Sequence, residues 1–216
     1  MMNRSLRFFG FDEGLTGSQK IEEIIGFWFN GISSPDQVHG VLTPYWFCAT
    51  PSLNQEINSR FSQDIENALS NSYDTWLTTP KGSLALIILL DQFTRNLYPR
   101  SIEKVKGDPK AREISRHIIS KGFESDLWPI HLLFAYLPFE HSENLQDQVL
   151  SVEKFKELVN KVPDQLKIEF NLHLMYAEIH KKVIQRFGRF PGRNYFMGRE
   201  STEEEKLYLI QDPYKF

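Results

Sequence analysis

Apolar residues along most of the chain recur every three or four positions, which is the period of a helix that packs on one face. The clearest case follows Thr50-Pro51, where the apolar positions are Leu53, Ile57, Phe61, Ile65 and Leu69. Prolines at first helical positions and serine or threonine caps support such assignments. Together these patterns predict eight helices, which begin near Ser18, Pro51, Pro80, Asp108, Ser125, Ser142, Pro163 and Ser201.

The longest apolar run in the chain covers residues 84–90. A helix that is apolar on all sides is buried on all sides, so we expect this one at the centre of the fold. A buried strand is the alternative for so short a run. The start signal Thr79-Pro80 and the continuation of the pattern through Gln92 and Phe93 favour a helix.

The fold class follows from these elements. Eight helices without a convincing alternating strand predict an all-α fold, and short connections predict antiparallel helical hairpins in series. No linker rich in proline, glycine or serine divides the sequence. We therefore expect one helical domain over residues 18–216, preceded by an N-terminal arm of residues 1–17.

Composition limits the partners of the protein. The 216 residues carry a formal net charge of only −3, which argues against a nucleic-acid partner. The single cysteine, Cys48, excludes an intramolecular disulfide and fits a reducing compartment. The run at residues 84–90 is far shorter than the roughly 20 residues of a membrane span. We expect a cytoplasmic protein without a membrane partner.

Three segments concentrate polar residues, and the first ends the buried helix. Asp91 and Arg95 are four positions apart and share a helix face. Charged groups leave water only when they are well paired, so one interpretation is an ion pair that fixes the helix end. The other interpretation is a pocket lined by Asp91, Gln92, Arg95 and Asn96.

The second segment follows Pro138, which we expect to break a helix. Ser142 is a plausible N-cap for the next helix, and Glu140 and Glu143 would favour its N-terminus. Capping does not require His141, whose charged form would be favoured beside two carboxylates. General base, metal ligand and ion-pair partner all remain open for this histidine, and Glu140 and Asp91 are its candidate catalytic partners.

The third segment, residues 180–199, contains six positive charges and neither Asp nor Glu: Lys181, Lys182, Arg186, Arg189, Arg193 and Arg199. Subtracting this +6 from the net −3 leaves −9 for the other residues. Arginine forks suit carboxylate and phosphate groups. The segment is either a structural clasp, paired with the protein's own carboxylates, or a pocket for a small anion that includes Asn194. Aromatic residues between the arginines also allow single-stranded nucleic acid, which the low pI disfavours.

Recognisable metal and cofactor motifs are missing from the sequence. There is no Cys-x-x-Cys, His-Glu-x-x-His, phosphate-binding glycine loop or serine elbow. We therefore predict no metal site and no cofactor. Cys48 follows Trp46-Phe47, so we expect it to be packed rather than nucleophilic.

Several motifs in order resemble one known family. They are IIGFWF at residues 24–29, Trp46-Phe47, SLALIILLDQFTRN at 83–96, PFEHSE at 138–143, RFGRFPGRN at 186–194 and GREST at 198–202. Across roughly residues 20–210 the chain is similar to the bacterial domain-of-unknown-function family DUF924. The resemblance implies an all-helical fold like that of tetratricopeptide repeats and implies no activity.

Two positions depart from the pattern of that family. It usually has proline where this chain has Thr94 and histidine where this chain has Gly192. Thr94 should ease the end of the helix. Gly192 removes a titratable group from the arginine-rich segment, so this chain could not use that histidine as a base or ligand.

Three hypotheses for the function follow. In the first, a helical binding or scaffold module presents an open arginine- and aromatic-rich groove to a small anion or an acidic peptide. In the second, an enzyme acts on a small carboxylate or phosphate compound, with His141 as acid/base. In the third, the motif residues form one buried salt-bridge network. The binding residues expected under the first two are Arg95, Asn96, Glu143, Arg186, Arg189, Arg193, Asn194 and Arg199.

Overall fold

The computed structural model describes residues 16–37, 43–212 and 216. The predicted arm at residues 1–17 lies outside this part, apart from Thr16 and Gly17. Nine helices are present in the described residues, one more than the eight predicted. They are α1 (Gly17–Trp28), α2 (Thr43–Phe47), α3 (Pro51–Leu69), α4 (Pro80–Ile87, continuing through Ile88–Phe93 and Thr94–Leu97), α5 (Asp108–Ser120), α6 (Pro129–Glu140), α7 (Leu145–Lys161), α8 (Asp164–Phe187) and α9 (Glu203–Gln211).

The all-α fold class predicted from periodicity is confirmed, since the described residues contain helices and turns without a strand. The additional helix is α2, a short segment whose Trp46 packs against the edge of Phe29 and hydrogen-bonds the carbonyl of Trp28 at 2.8 Å. Five residues are too few for a periodic pattern to be recognised. No described helix combines the length and the apolar character needed to cross a membrane.

Helix α4 occupies the centre of the fold, as its apolar run predicted. Every side chain from Leu84 to Leu90 is fully buried. Helices α1, α3, α5 and α6 pack around it, and α1, α3 and α6 supply aromatic side chains of the core. Phe93, near the end of α4, lies 5.1 Å from Phe61 and 5.5 Å from Trp28, measured between ring centroids.

The middle of α4 is wider than an ordinary α-helix. Residues Ile88–Phe93 form a π-helical turn, a rare feature that often occurs at functional sites. The Thr94 hydroxyl donates to the carbonyls of Leu90 at 2.8 Å and Asp91 at 3.2 Å, which stabilises the end of this turn. Helix α4 then continues to Leu97, so Thr94 does not mark its end.

Several predicted helix boundaries were wrong, because the cap is a different residue. Thr16, not Ser18, caps α1. Asn144, not Ser142, caps α7, and its side chain accepts from the backbone N–H of Gln146 at 2.8 Å. Local sequence cannot choose between neighbouring polar residues that are all able to cap.

Helix α6 also departs from the prediction at both ends. Ser125 lies in a preceding 3₁₀ turn, and the helix itself begins at Pro129. Pro138 does not break α6, which continues to Glu140. All residues from Ile130 to Glu140 are buried, so packing on every side offsets the hydrogen bond that the proline removes. Cys48 was predicted to be packed, whereas the structure places it on the surface.

Candidate functional site

The centre of the candidate site is Asp91, which the π-helical turn of α4 places in the interior. Its side chain is fully buried. One carboxylate oxygen lies 2.8 Å from Nδ1 of His141 and 2.9 Å from Nη1 of Arg95. The other oxygen accepts from Nε2 of Gln92 at 2.6 Å. The carboxylate is therefore fully engaged by its neighbours, as a buried charge requires.

Arg95 connects this carboxylate to a second acid. Its guanidinium forms a bidentate pair with Asp108 at the start of α5, with distances of 2.9 and 3.0 Å. The four-residue spacing in the sequence indicates the pair of Arg95 with Asp91, whereas the sequence identifies Asp108 only as a helix start. The second partner was missed because it approaches from another helix, and no local spacing signals such a contact.

Arg193 brings the arginine-rich segment into the same cluster. Its Nη2 donates to the main-chain carbonyl of His141 at 2.7 Å, and its Nη1 lies 3.6 Å from Asp108. The contact between Arg193 and Asp108 is therefore an ion pair that is too long to be a hydrogen bond. Among the described residues, Arg193 therefore keeps N–H donors that are not used by the protein.

The Asp91 contact determines the state of His141. A carboxylate can only accept, so Nδ1 of His141 carries the proton and Nε2 has the lone pair. Burial and the charge of Arg95 lower the pKa of this histidine, against the opposing effect of Asp91. At neutral pH the ring is therefore a neutral base. Within the described ranges, no protein group hydrogen-bonds Nε2.

Glu140, one residue before His141, is an acid held in its protonated form. Burial and the negative charge of Asp91 raise the pKa of Glu140 to about 8. Its Oε1 lies 3.2 Å from Nδ1 of His180, which donates to the carbonyl of Tyr176 at 2.9 Å. Burial also lowers the pKa of His180 to about 3, so this contact joins two neutral groups at pH 7.

A cavity of about 360 Å³ lies beside this cluster. It is lined by Arg193, by His141 and other residues of the α6–α7 connection, and by Asp108 and other residues at the start of α5. The remaining lining residues are Val105, Pro109, Arg112, Ser142, Glu143, Asn144 and Met197. Ser142, predicted as a cap, instead donates its hydroxyl to Asp147 at 2.6 Å.

Most of the arginine-rich segment pairs with the protein's own carboxylates. Arg199 forms a bidentate pair with Glu143, with distances of 2.7 and 2.9 Å. Arg189 binds Glu205 at 2.6 and 2.9 Å, and the side-chain amide of Asn194 also donates to Glu205 at 3.3 Å. These contacts tie the segment to α9 and to the α6–α7 connection.

The remaining candidate residues lie apart from the cluster or play no visible part in it. Arg186 pairs with Glu204 on the surface, where both side chains are more than half exposed. Asn96 is buried, and no described group bonds its Nδ2 atom. Gly192 donates its backbone N–H to the carbonyl of Phe216 at 2.6 Å, so the position is used by the main chain.

The structure thus brings six of the predicted residues into one cluster, joined by the two that local patterns did not reveal as partners, Asp108 and His180. The six are Asp91, Gln92, Arg95, Glu140, His141 and Arg193. Nowhere in the described ranges do three His, Cys, Asp or Glu side chains form a group that could hold a metal ion. The cluster consists of ion pairs and hydrogen bonds among charged and titratable side chains, the kinds of group that anion binding and proton exchange require.

Comparisons with known proteins give a family and one structural relative. The model of the family described as "Bacterial protein of unknown function (DUF924)" matches residues 24–212. A solved structure of a protein of unknown function from Agrobacterium tumefaciens is similar, with 29% identity and a TM-score of 0.76. The similarity covers 90% of this chain and 98% of that chain. No curated protein matches this sequence.

Proposed function

This chain belongs to the bacterial protein family of unknown function DUF924, and from its site we propose that the cavity binds a small carboxylate or phosphate compound with which His141 exchanges a proton. The observation that carries the proposal is the position of His141. Its Nδ1 is held by Asp91, its Nε2 has no partner among the described residues, and the residue lines the cavity. A carboxylate that orients an imidazole in this way is a common arrangement for general acid–base catalysis.

The preference for an anion rests on Arg193. This guanidinium lines the cavity, is largely buried, and has donors left over after its bond to the His141 carbonyl. Burial and the nearby charge of Arg95 lower the pKa of Arg193 to about 10. Because burial disfavours the charged form of Arg193, an anion bound beside this guanidinium would stabilise that form.

The size of the cavity restricts the ligand to a small molecule. Ligand pockets in proteins range from about 300 to 1,000 Å³, and the 360 Å³ here lies near the lower limit. An acidic peptide is less well supported, because Arg186, Arg189 and Arg199 already bind carboxylates of the same chain.

We infer a structural role for the rest of the arginine-rich segment. The pairs of Arg199 with Glu143 and of Arg189 with Glu205 hold residues 189–199 against neighbouring elements. The backbone N–H of Phe190 adds a bond to Glu143 at 2.9 Å. This clasp positions Arg193 at the cavity, so the structural and ligand-binding interpretations apply to different arginines of one segment.

Binding is tested by thermal shift with a panel of small carboxylates and phosphates. We expect one or more compounds to raise the melting temperature of the wild type and of Arg186→Gln, because a specific ligand stabilises the folded state by mass action. Arg193→Gln should abolish this shift. Arg186 is the matched control, since it belongs to the same segment but pairs on the surface. Equal shifts in all three proteins would contradict a site at Arg193.

Proton transfer is tested with pooled carboxylated and phosphorylated metabolites, followed by mass spectrometry. We expect the wild type and Arg186→Gln to convert a component of the pool and His141→Asn to lose at least about 100-fold in rate, the usual contribution of a general acid–base. Conversion at the wild-type rate by His141→Asn would refute the role of this histidine.

A further inference from the structure

Arg112 is a second arginine at the cavity beside His141. It lies on α5 one turn beyond Asp108, and both residues line the cavity. Its Nε lies 3.4 Å from Oδ2 of Asp147. The same Oδ2 atom accepts from the hydroxyl of Ser142 at 2.6 Å, and Ser142 also lines the cavity. These contacts place the guanidinium of Arg112 beside Ser142 at the cavity wall.

Asp147 leaves most of the binding capacity of Arg112 unused. Two arginines share this carboxylate, because Arg116 donates to its Oδ1 atom. The contact of Arg112 is an ion pair, and within the part of the chain that the structure describes its guanidinium forms no hydrogen bond. Its five N–H donors are therefore available to a ligand, and two positive charges face a single negative charge here.

The two carboxylates that line the cavity are already paired with other arginines. Asp108 forms its bidentate pair with Arg95, and Glu143 forms one with Arg199. Arg95 and Arg199 are not among the residues that line the cavity. The acidic part of the wall is thus matched from behind, and its negative charge does not oppose an anion at Arg112 with full strength.

We propose that the compound bound in the cavity carries two anionic groups, of which one is bound by Arg193 beside His141 and the other by Arg112. This inference rests on the proposed function, because it specifies the ligand of the same site. The two arginines belong to different elements and contact different carboxylates, Asp108 and Asp147. Each guanidinium keeps donors for a group of its own, and each group is a carboxylate or a phosphate.

The experiment is calorimetric titration at constant ionic strength with matched pairs of acids. Malonate, succinate and glutarate are compared with acetate, propionate and butyrate, each of which lacks one carboxylate of its partner. Phosphoglycolate, with one phosphate and one carboxylate, is the mixed probe. We expect a dianion to bind the wild type about tenfold to a hundredfold more tightly than its monoanion, the contribution of one charged hydrogen-bond partner.

Three variants assign this preference to a residue. Arg112→Gln should weaken dianion binding by the same tenfold to hundredfold and leave monoanion binding within about twofold of the wild type. Arg193→Gln should weaken both kinds of probe, since it removes the partner beside His141. Arg186→Gln is the control, because it makes the same change at a surface arginine and should keep the preference.

The outcomes separate this inference from the proposed function. Dianion binding of wild-type strength in Arg112→Gln, with loss of binding in Arg193→Gln, would overturn the second anionic group and leave the cavity site intact. An equal loss of monoanion and dianion binding in Arg112→Gln would show that both arginines bind one group, which would also overturn the inference. Binding of none of the probes to the wild type would overturn both proposals.

The melting temperatures of the ligand-free proteins supply a second readout. Arg112→Gln should melt within about 2 °C of the wild type, because Asp147 keeps its hydrogen bonds to Arg116 and Ser142. A larger decrease would show that the fold requires Arg112 as a partner of Asp147 and would overturn its assignment to the ligand.

Discussion

Glu140→Gln replaces a buried, protonated acid by its neutral isostere, and we expect it to stabilise the protein increasingly as pH rises. In the folded chain the pKa of Glu140 is raised by burial and by Asp91 to about 8, whereas its ordinary value is 4.5. Between these two values the folded state binds more protons than the unfolded state. Wild-type stability is therefore fully present below the ordinary pKa and is lost as pH rises towards 8. Glutamine carries no such proton and shows no such loss.

The magnitude follows from the proton linkage. One bound proton changes the free energy of unfolding by about 1.4 kcal/mol per pH unit. The difference between Glu140→Gln and wild type should therefore grow by roughly 2–3 kcal/mol from about pH 6 to about pH 8. This is a large part of the stability of a typical domain, so urea unfolding at several pH values resolves it well.

Glu143→Gln is the matched control, because its pKa changes in the opposite direction. Burial alone would raise the pKa of Glu143, but the hydrogen bonds from Arg199 and from the N–H of Phe190 lower it. Its stabilisation is present above the ordinary pKa and lost only at lower pH, so Glu143→Gln should destabilise by the same amount at about pH 6 and about pH 8. A pH-independent effect of Glu140→Gln over that range would refute the assignment of a protonated buried acid.

Three further predictions concern the network and the core, each checked by urea unfolding. Asp91→Asn should cost about 3–5 kcal/mol, because it breaks a buried ion pair; a loss below about 1 kcal/mol would contradict its burial. Arg199→Ala should cost about 1.5–3 kcal/mol through its bidentate bonds, and Arg186→Ala less than about 1 kcal/mol; similar losses would argue against the clasp. Gly107→Ala should cost about 1–3 kcal/mol or more, since its Cβ would lie 2.4 Å from a carbonyl of α4. A Cβ added at Gly26 would meet no atom within 4 Å, so Gly26→Ala should stabilise α1 by about 0.5–1 kcal/mol. If Gly107→Ala and Gly26→Ala changed the free energy of unfolding in the same direction, the packing at Gly107 would be contradicted.

Local spacing predicted the fold well wherever the physical cause is local. The run at residues 84–90 and the start signal before it favoured a central buried helix, and the four-residue step from Asp91 to Arg95 predicted a shared face; both are present. The π-helical turn that aims Asp91 at His141 has no comparable signal. It depends on how α4 packs between its neighbours, which single-sequence periodicity does not report.

The candidate site was only partly predictable for the same reason. Charge density pointed to residues 180–199, and self-pairing and anion binding both remained open because both use the same arginine chemistry. Tertiary contacts separate them, since Glu143, Glu204 and Glu205 bind three of the arginines and leave Arg193 at the cavity.

The central claim is that the cavity beside His141 binds a small anion, and histidine NMR tests it most directly. In protein labelled at its histidines, with the His141 resonance assigned from His141→Asn, titration with phosphate or malonate at constant ionic strength should shift this resonance saturably. It should also raise the pKa of His141, because an added negative charge favours the imidazolium. Arg193→Gln should remove both effects. A His141 resonance that moves no more with these anions than with sodium chloride would contradict the account.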